Sequence, residues 1–161
     1  MMSTYSNLMS LVEDDHGFYF KDCELDSCRY RIFNYHLPTW SSFQKPSALE
    51  CRGIMYDITN DPRLVCLPPQ KFFNYEEGDR KHALGQLGDK MMKIDGSLIS
   101  TYLHQNKELR LKSKASVTST QAHCAMQLLT GKFKEEVTCL GTKYPKTDVT
   151  PGCRAALKFY N

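Results

Sequence analysis

The chain has 161 residues, of which 41% are hydrophobic and 24% charged, with a formal net charge of +3. This is enough for one domain with a substantial core, and the composition excludes a disordered protein. No apolar run is long enough to cross a bilayer, and acidic residues at 13–15 stand where a signal peptide would be apolar, so we expect a soluble, cytoplasmic protein with no membrane partner.

The first half of the chain is predicted to contain one helix followed by strands. Apolar residues at helical spacing after Thr4 predict a helix over about 5–15. The aromatic and β-branched runs that follow predict strands at 17–22, 29–35, 52–58 and 63–67. PPQKFFNYEEG at 68–78 begins with two prolines, which cannot pair in a central strand, so this segment is predicted to be irregular.

The second half returns to strand patterns after the polar segment 79–90. Strands are predicted at 91–94, 97–103 and 108–113, and an amphipathic helix over about 119–130, capped by Thr118 or Ser119 and ended by Gly131. The fold class expected from this order is α+β, dominated by antiparallel hairpins.

The seven cysteines indicate neither a disulfide framework nor a metal site. Their number is odd and no Cys-x-x-Cys occurs. Cys23, Cys28 and His36 fit no common ligand spacing, so reduced thiols and no metal ligands are expected.

The stretch MMKIDGSLIS at 91–100 has two interpretations. In the first, Asp95-Gly96 is a two-residue hairpin turn and Lys93 is a solvated strand residue beside it. In the second, Lys93 is a nucleophile that the turn presents. The tetrapeptide alone does not decide between them.

Several cations lie close to the ends of predicted strands. Each one taken singly is typical of a solvated surface, but together they suggest a pocket for a triphosphate. The second half of the chain is also the basic one, since residues 91–161 carry 11 Lys/Arg and 5 Asp/Glu. Positive neighbours and partial burial would lower the pKa of Lys93 and favour its reactive, uncharged amine. These cations are Arg52, Lys71, Lys93, Lys112 and Lys114.

Four blocks of sequence resemble the phage-type RNA ligase 1 family in their order along the chain. They are ECRGIMYDI (50–58), KFFNYEEG (71–78), KIDGSLISTYL (93–103) and LKSKAS (111–116), and YRIFNY (30–35) is similar to an upstream aromatic segment of that family. The resemblance implies an ATP-dependent RNA ligase with an antiparallel-sheet, ATP-grasp-like nucleotidyltransferase fold. Its cofactors would be ATP and Mg²⁺, and its partner RNA with 5′-phosphate and 3′-hydroxyl ends, as in RNA repair by a viral protein in the host cytoplasm.

The resemblance also implies roles for individual residues. Lys93 would take AMP as the catalytic nucleophile, and Asp95 would orient or bind beside it. The other implied nucleotide-binding residues are Arg52 and Lys71 at the phosphates or lysyl-AMP, Tyr35 at the ATP site, Phe73 walling the nucleotide, Gly96 allowing close approach of the backbone, and Lys112 and Lys114 facing the phosphates. Core packing is an equally open role for Tyr35 and Phe73.

The sequence departs from the family pattern after Lys114. The family continues with a glutamate between aromatics, a glutamate followed by glycine, and a Lys-x-Lys strand. None of these motifs is found after Lys114 with the neighbouring residues that the family has. We therefore expect residues 1–139 to be the N-terminal part of an adenylyltransferase domain, incomplete at its C-terminus, and 140–161 an atypical or irregular tail. Such a chain would have weak or no activity alone.

Three alternatives stay open at this stage. The chain is a non-catalytic fragment that binds nucleotide or RNA, one half of a split ligase completed by a second polypeptide, or a small β-rich interaction module in which Lys-x-Asp-Gly is only a hairpin.

Overall fold

A computed structural model describes residues 4–74, 77, 89, 92 and 95–130, together with the backbone of 137–139 and 142–144. Its two helices are α1 (Tyr5–Asp14) and α2 (Thr120–Leu129), and short 3₁₀ turns occupy Ser42–Gln44 and Ala48–Glu50. The strands are β1 (Phe18–Leu25), β2 (Cys28–Tyr35), β3 (Ile54–Asp57), β4 (Arg63–Cys66), β5 (Ile99–His104), β6 (Glu108–Ser113), β7 (Val137–Cys139) and β8 (Thr142–Tyr144).

The strands form antiparallel sheets, which confirms the predicted α+β class. Strands β1 to β4 make one sheet in sequence order, while β5 pairs with β6 and β7 with β8. The strand predicted at 52–58 begins only at Ile54, because Gly53 has a φ of +98°, outside the strand conformation. Of the strand predicted at 91–94, only Met92 lies among the described residues, and it is not in a strand.

One face of the four-stranded sheet is covered by α1 and the two 3₁₀ turns. The Thr4 side chain caps α1 by accepting a hydrogen bond from Asn7 N at 3.2 Å. Leu8 and Leu11, which lie on one side of this helix, are buried against the sheet. The buried members of this cluster are Leu8, Leu11, Phe18, Phe33, Phe43, Ala48, Cys51, Ile54 and Tyr56.

The opposite face of the sheet packs against the β5–β6 hairpin. Tyr30 on β2 and Tyr102 on β5 meet edge to face with ring centroids 5.7 Å apart. The Tyr30 hydroxyl and His104 Nδ1 form a buried hydrogen bond of 2.6 Å. The hairpin therefore has a fixed position relative to the sheet, and the end of β6 is brought to the start of β3.

Helix α2 packs on the β5–β6 hairpin, mainly on β6. Ser119, one of the two caps predicted from the sequence, is its N-cap, with the side-chain hydroxyl accepting from Ala122 N at 3.2 Å, and Ala122 and Ala125 are buried. Within the part of the chain that the structure describes, no helix is long and apolar enough to span a membrane.

Candidate functional site

The site is centred on Gly53, where β3 meets the end of β6. Gly53 N donates a hydrogen bond of 2.9 Å to Phe33 O, which ties the glycine to the sheet. A Cβ at this position would lie 2.6 Å from the Lys114 carbonyl oxygen and 3.2 Å from Lys112 Nζ. Only glycine permits this approach, because it combines a positive φ with the absence of a side chain.

Lys112 lies behind Gly53 and is fully buried. Its Nζ donates to the carbonyl oxygens of Ser113 at 3.0 Å and Lys114 at 3.5 Å. Burial lowers the pKa of Lys112 because desolvation disfavours its charged form. Lys112 thus stabilises the backbone at the end of β6. Whether Lys112 also contacts a nucleotide, as the resemblance implies, stays a prediction.

Lys114 lies on the accessible side of the same strand end, with Arg52 and Lys71. Its Nζ is 4.1 Å from the centroid of the Tyr35 ring, a distance typical of a cation–π contact. Partial burial, and then the positive charges of Arg52 and Lys71, lower the pKa of the Lys114 amine. Three of the predicted cations therefore come together beside Tyr35, which the sequence also singled out.

The irregular segment that carries Lys71 is fixed to the sheet by its backbone. Lys71 N donates to Leu49 O at 2.8 Å, and Arg52 Nη1 donates to Gln70 O at 3.4 Å. The Lys71 amine turns back to donate to Phe72 O at 2.9 Å. These bonds replace the strand pairing that the prolines prevent, and they place Lys71 next to Arg52.

Two adjacent phenylalanines in this segment have different surroundings. Phe73 is half-buried between Trp40 and Phe43, with ring centroids 4.8 and 5.4 Å away, and Lys71 Nζ is 4.4 Å from its ring. Phe72 is 61% exposed, and the Arg52 guanidinium carbon lies 4.3 Å from its ring centroid. The family resemblance implies a role for Phe73 but none for Phe72, and an irregular segment has no periodicity that tells which side chain faces solvent.

The charge balance at the site favours an anion. Glu77 faces the cations, with Oε2 3.5 Å from Lys71 Nζ, and its side chain is half-exposed. Glu50 is buried below the segment and accepts a hydrogen bond of 3.3 Å from the Gln70 amide. Among the described residues no group of three or more His, Cys, Asp or Glu side chains could hold a metal ion. Arg52, Lys71 and Lys114 are the positively charged side chains here, and phosphate is an anion that such groups bind.

The predicted nucleophile and its turn are only partly described. Lys93 lies outside the described residues, so its predicted position beside the cations stays a prediction. Asp95 and Gly96 are exposed, and Gly96 N lies 3.1 Å from Asp95 Oδ1, to which it donates a hydrogen bond. Gly96 has a φ of +152° and open space around it. The hairpin predicted at these two residues includes neighbours outside the described part.

Comparison with known protein families gives a match. A family model described as RNA ligase, of the phage T4 RNA ligase 1 type, matches residues 50–151, more than half of the chain. The matched range contains all five predicted cations, Phe73 and the Asp95-Gly96 pair, whereas Tyr35 precedes it. The match confirms the resemblance found in the sequence blocks.

Proposed function

The chain belongs to the phage T4 RNA ligase 1 family of RNA ligases, and we propose that it acts in ATP-dependent joining of RNA through a lysyl-AMP at Lys93. The proposed substrates are an RNA 5′-phosphate and an RNA 3′-hydroxyl. The observation that supports this proposal best is the convergence of Arg52, Lys71 and Lys114 beside Tyr35, because a triphosphate needs several cations at one place.

In the proposed first step the uncharged Lys93 amine attacks the α-phosphorus of ATP. A phosphorus–nitrogen bond forms, the bond to pyrophosphate breaks, and the amine proton passes to solvent. Negative charge grows on the departing pyrophosphate, and fixed cations beside it lower the barrier. An ordinary lysine is almost wholly protonated at neutral pH. A Lys93 amine beside the cluster would have its pKa lowered by the same positive charges that act on Lys114.

In the steps that follow, AMP passes from Lys93 to the RNA 5′-phosphate, and the 3′-hydroxyl of the second end then displaces AMP. Mg²⁺ would enter bound to the ATP phosphates and neutralise part of their charge. An ATP-grasp-like nucleotidyltransferase fold is part of this proposal, and the antiparallel sheets are compatible with it.

The proposed roles follow the positions of the side chains. Arg52, Lys71 and Lys114 bind phosphate oxygens, and Lys112 holds the strand end that carries Lys114. The remaining proposed site residues are Tyr35 and Phe73 as the aromatic wall, Asp95 as an orienting carboxylate and Gly96 as the point of close backbone approach.

We propose that residues 1–161 alone are adenylylated slowly. The resemblance calls for two glutamates and a Lys-x-Lys strand after Lys114. In this sequence they do not occur with the neighbouring residues that the family has. Loss of a single positioned electrostatic group commonly costs roughly a hundredfold or more in rate. The family match gives no support for a second polypeptide, and none is included in the proposal.

The test is covalent labelling of the chain by ATP carrying a labelled α-phosphate, in the presence of Mg²⁺. We expect weak labelling that falls at least tenfold in Arg52→Ala, Lys71→Ala and Lys114→Ala. Leu109→Ala, which removes an exposed side chain at the opposite end of β6, is the matched control and should be labelled as the natural chain is.

Labelling that is unaffected by all three cation substitutions would contradict the proposed site. Reversible ATP binding that depends on the cations, without any covalent label, would favour the alternative of a nucleotide-binding protein without chemistry.

A further inference from the structure

Phe72 is a large aromatic side chain held in an exposed position. Phe72 as a residue is 61% exposed, although the neighbouring Phe73 packs against Trp40 and Phe43. The backbone next to Phe72 is tied to the rest of the fold, because Lys71 N donates a hydrogen bond of 2.8 Å to Leu49 O. The ring is also oriented, since the Arg52 guanidinium carbon lies 4.3 Å from its centroid.

An exposed phenyl ring contributes little to folding, because most of its apolar surface stays in water. Single exposed apolar side chains are common and need no explanation by themselves. The position of Phe72 is what sets it apart. Arg52 contacts the ring and also belongs to the cation cluster with Lys71 and Lys114, so an aromatic surface adjoins a site suited to phosphates.

We propose that Phe72 is a stacking surface for the nucleobase of a ligand whose phosphate is bound by Arg52, Lys71 and Lys114. A nucleobase offers a flat π-face, and stacking on an aromatic side chain is a general means of holding one. Because Arg52 contacts both the cluster and the ring, a phosphate bound at Arg52 brings its attached base to Phe72. This inference rests on the proposed function, and it adds a binding residue that neither the sequence blocks nor the family match singled out.

Two ligands of the proposed reaction carry this chemistry, namely the mononucleotide and the 5′-terminal nucleotide of RNA. The experiment therefore uses two ligand pairs, each with and without a base. The first pair is AMP and ribose 5-phosphate. The second is a 5′-phosphorylated oligoribonucleotide and the same strand with an abasic first nucleotide.

Dissociation constants are measured for the full chain and its variants at low salt. The natural chain should prefer the base-containing member of at least one pair by roughly 5- to 150-fold, the range for one stacked base. Phe72→Ala should abolish this preference, and Phe72→Trp should retain it. Phe72→Leu keeps an apolar side chain without a flat ring and should behave as Phe72→Ala does. The pair that responds identifies the source of the base.

The matched control is Leu109→Ala, because Leu109 is also exposed, at 49%, but lies at the far end of β6. It should leave the preference unchanged. If the natural chain binds both members of each pair equally, or if the preference survives in Phe72→Ala, the role of Phe72 is wrong but the proposed function is unaffected. Failure of the two base-free ligands to bind at all would contradict the phosphate site, and with it both the proposed function and this inference.

Discussion

Replacement of Gly53 by alanine tests the junction between β3 and β6. Two separate penalties arise at this position. A φ of +98° is strained for any residue with a Cβ, at a cost of about 1–3 kcal/mol. The new Cβ would also lie 2.6 Å from the Lys114 carbonyl oxygen, which is backbone and has little freedom to move. Forcing such a group aside typically costs about 1–3 kcal/mol.

The expected loss in the free energy of unfolding is therefore about 2–6 kcal/mol, a large part of the 5–15 kcal/mol typical of a domain. The measurement is urea unfolding followed by circular dichroism. The matched control is Gly96→Ala, because Gly96 also has a positive φ of +152° but has no atom within 4 Å of an added Cβ. Gly96→Ala should lose only the part of the free energy of unfolding that comes from backbone strain, about 1–3 kcal/mol.

ATP binding gives a second readout for Gly53→Ala. Displacement of the β6 end carries Lys114 away from Arg52, so a chain that remains folded should bind ATP more weakly. If Gly53→Ala is no less stable than Gly96→Ala, the close approach of the two strands that defines the site is wrong.

Three further predictions concern other contacts. Lys114→Met should weaken ATP binding and reduce its dependence on salt, because one of the charges proposed to bind the phosphates is removed; equal salt dependence in titrations of the two chains would contradict this. Tyr30→Phe should lower the free energy of unfolding by about 1–3 kcal/mol, since His104 loses a buried hydrogen bond, and an unchanged urea midpoint would argue against that bond. Hydrogen bonds from the Lys45 amine and then Gly17 N lower the pKa of Asp15 from 3.8 to about 2. The ionised Asp15 therefore stabilises the fold above about pH 4, and this stabilisation is lost as the pH falls toward 2. In Asp15→Asn the free energy of unfolding should change less with pH over this range. If it changes with pH in the variant as much as in the natural chain, the assignment is wrong.

The elements with local signals were predictable from the sequence. Helix α1 follows from apolar residues at helical spacing after its Thr4 cap, and α2 from the same pattern after Ser119. Three strand pairs, β1–β2, β3–β4 and β5–β6, follow from short runs of strand-forming residues separated by turn residues, and the structure confirms them as antiparallel ladders. Each of these patterns involves only a few neighbouring residues, and it can therefore be recognised in a single sequence.

Features that depend on distant contacts were not predictable in the same way. Lys112 and Lys114 are two residues apart at the end of β6, yet Lys112 is fully buried and lies next to Gly53, the residue before β3, whereas Lys114 is only partly buried. Phe72 and Phe73 are adjacent in a segment without periodicity, and packing by Trp40 decides which ring is turned inward. The meeting of Arg52, Lys71 and Lys114 was expected from the resemblance and from their common charge.

The most direct test of the central claim is to identify which residue carries AMP. The chain is incubated with ATP and Mg²⁺, digested, and the modified peptide is sequenced by tandem mass spectrometry, with Lys93→Ala treated in parallel. We predict a single AMP on Lys93, at low yield but above that of Lys93→Ala. AMP on any other residue, or a yield no higher than that of Lys93→Ala, would contradict the assignment of Lys93 as the nucleophile.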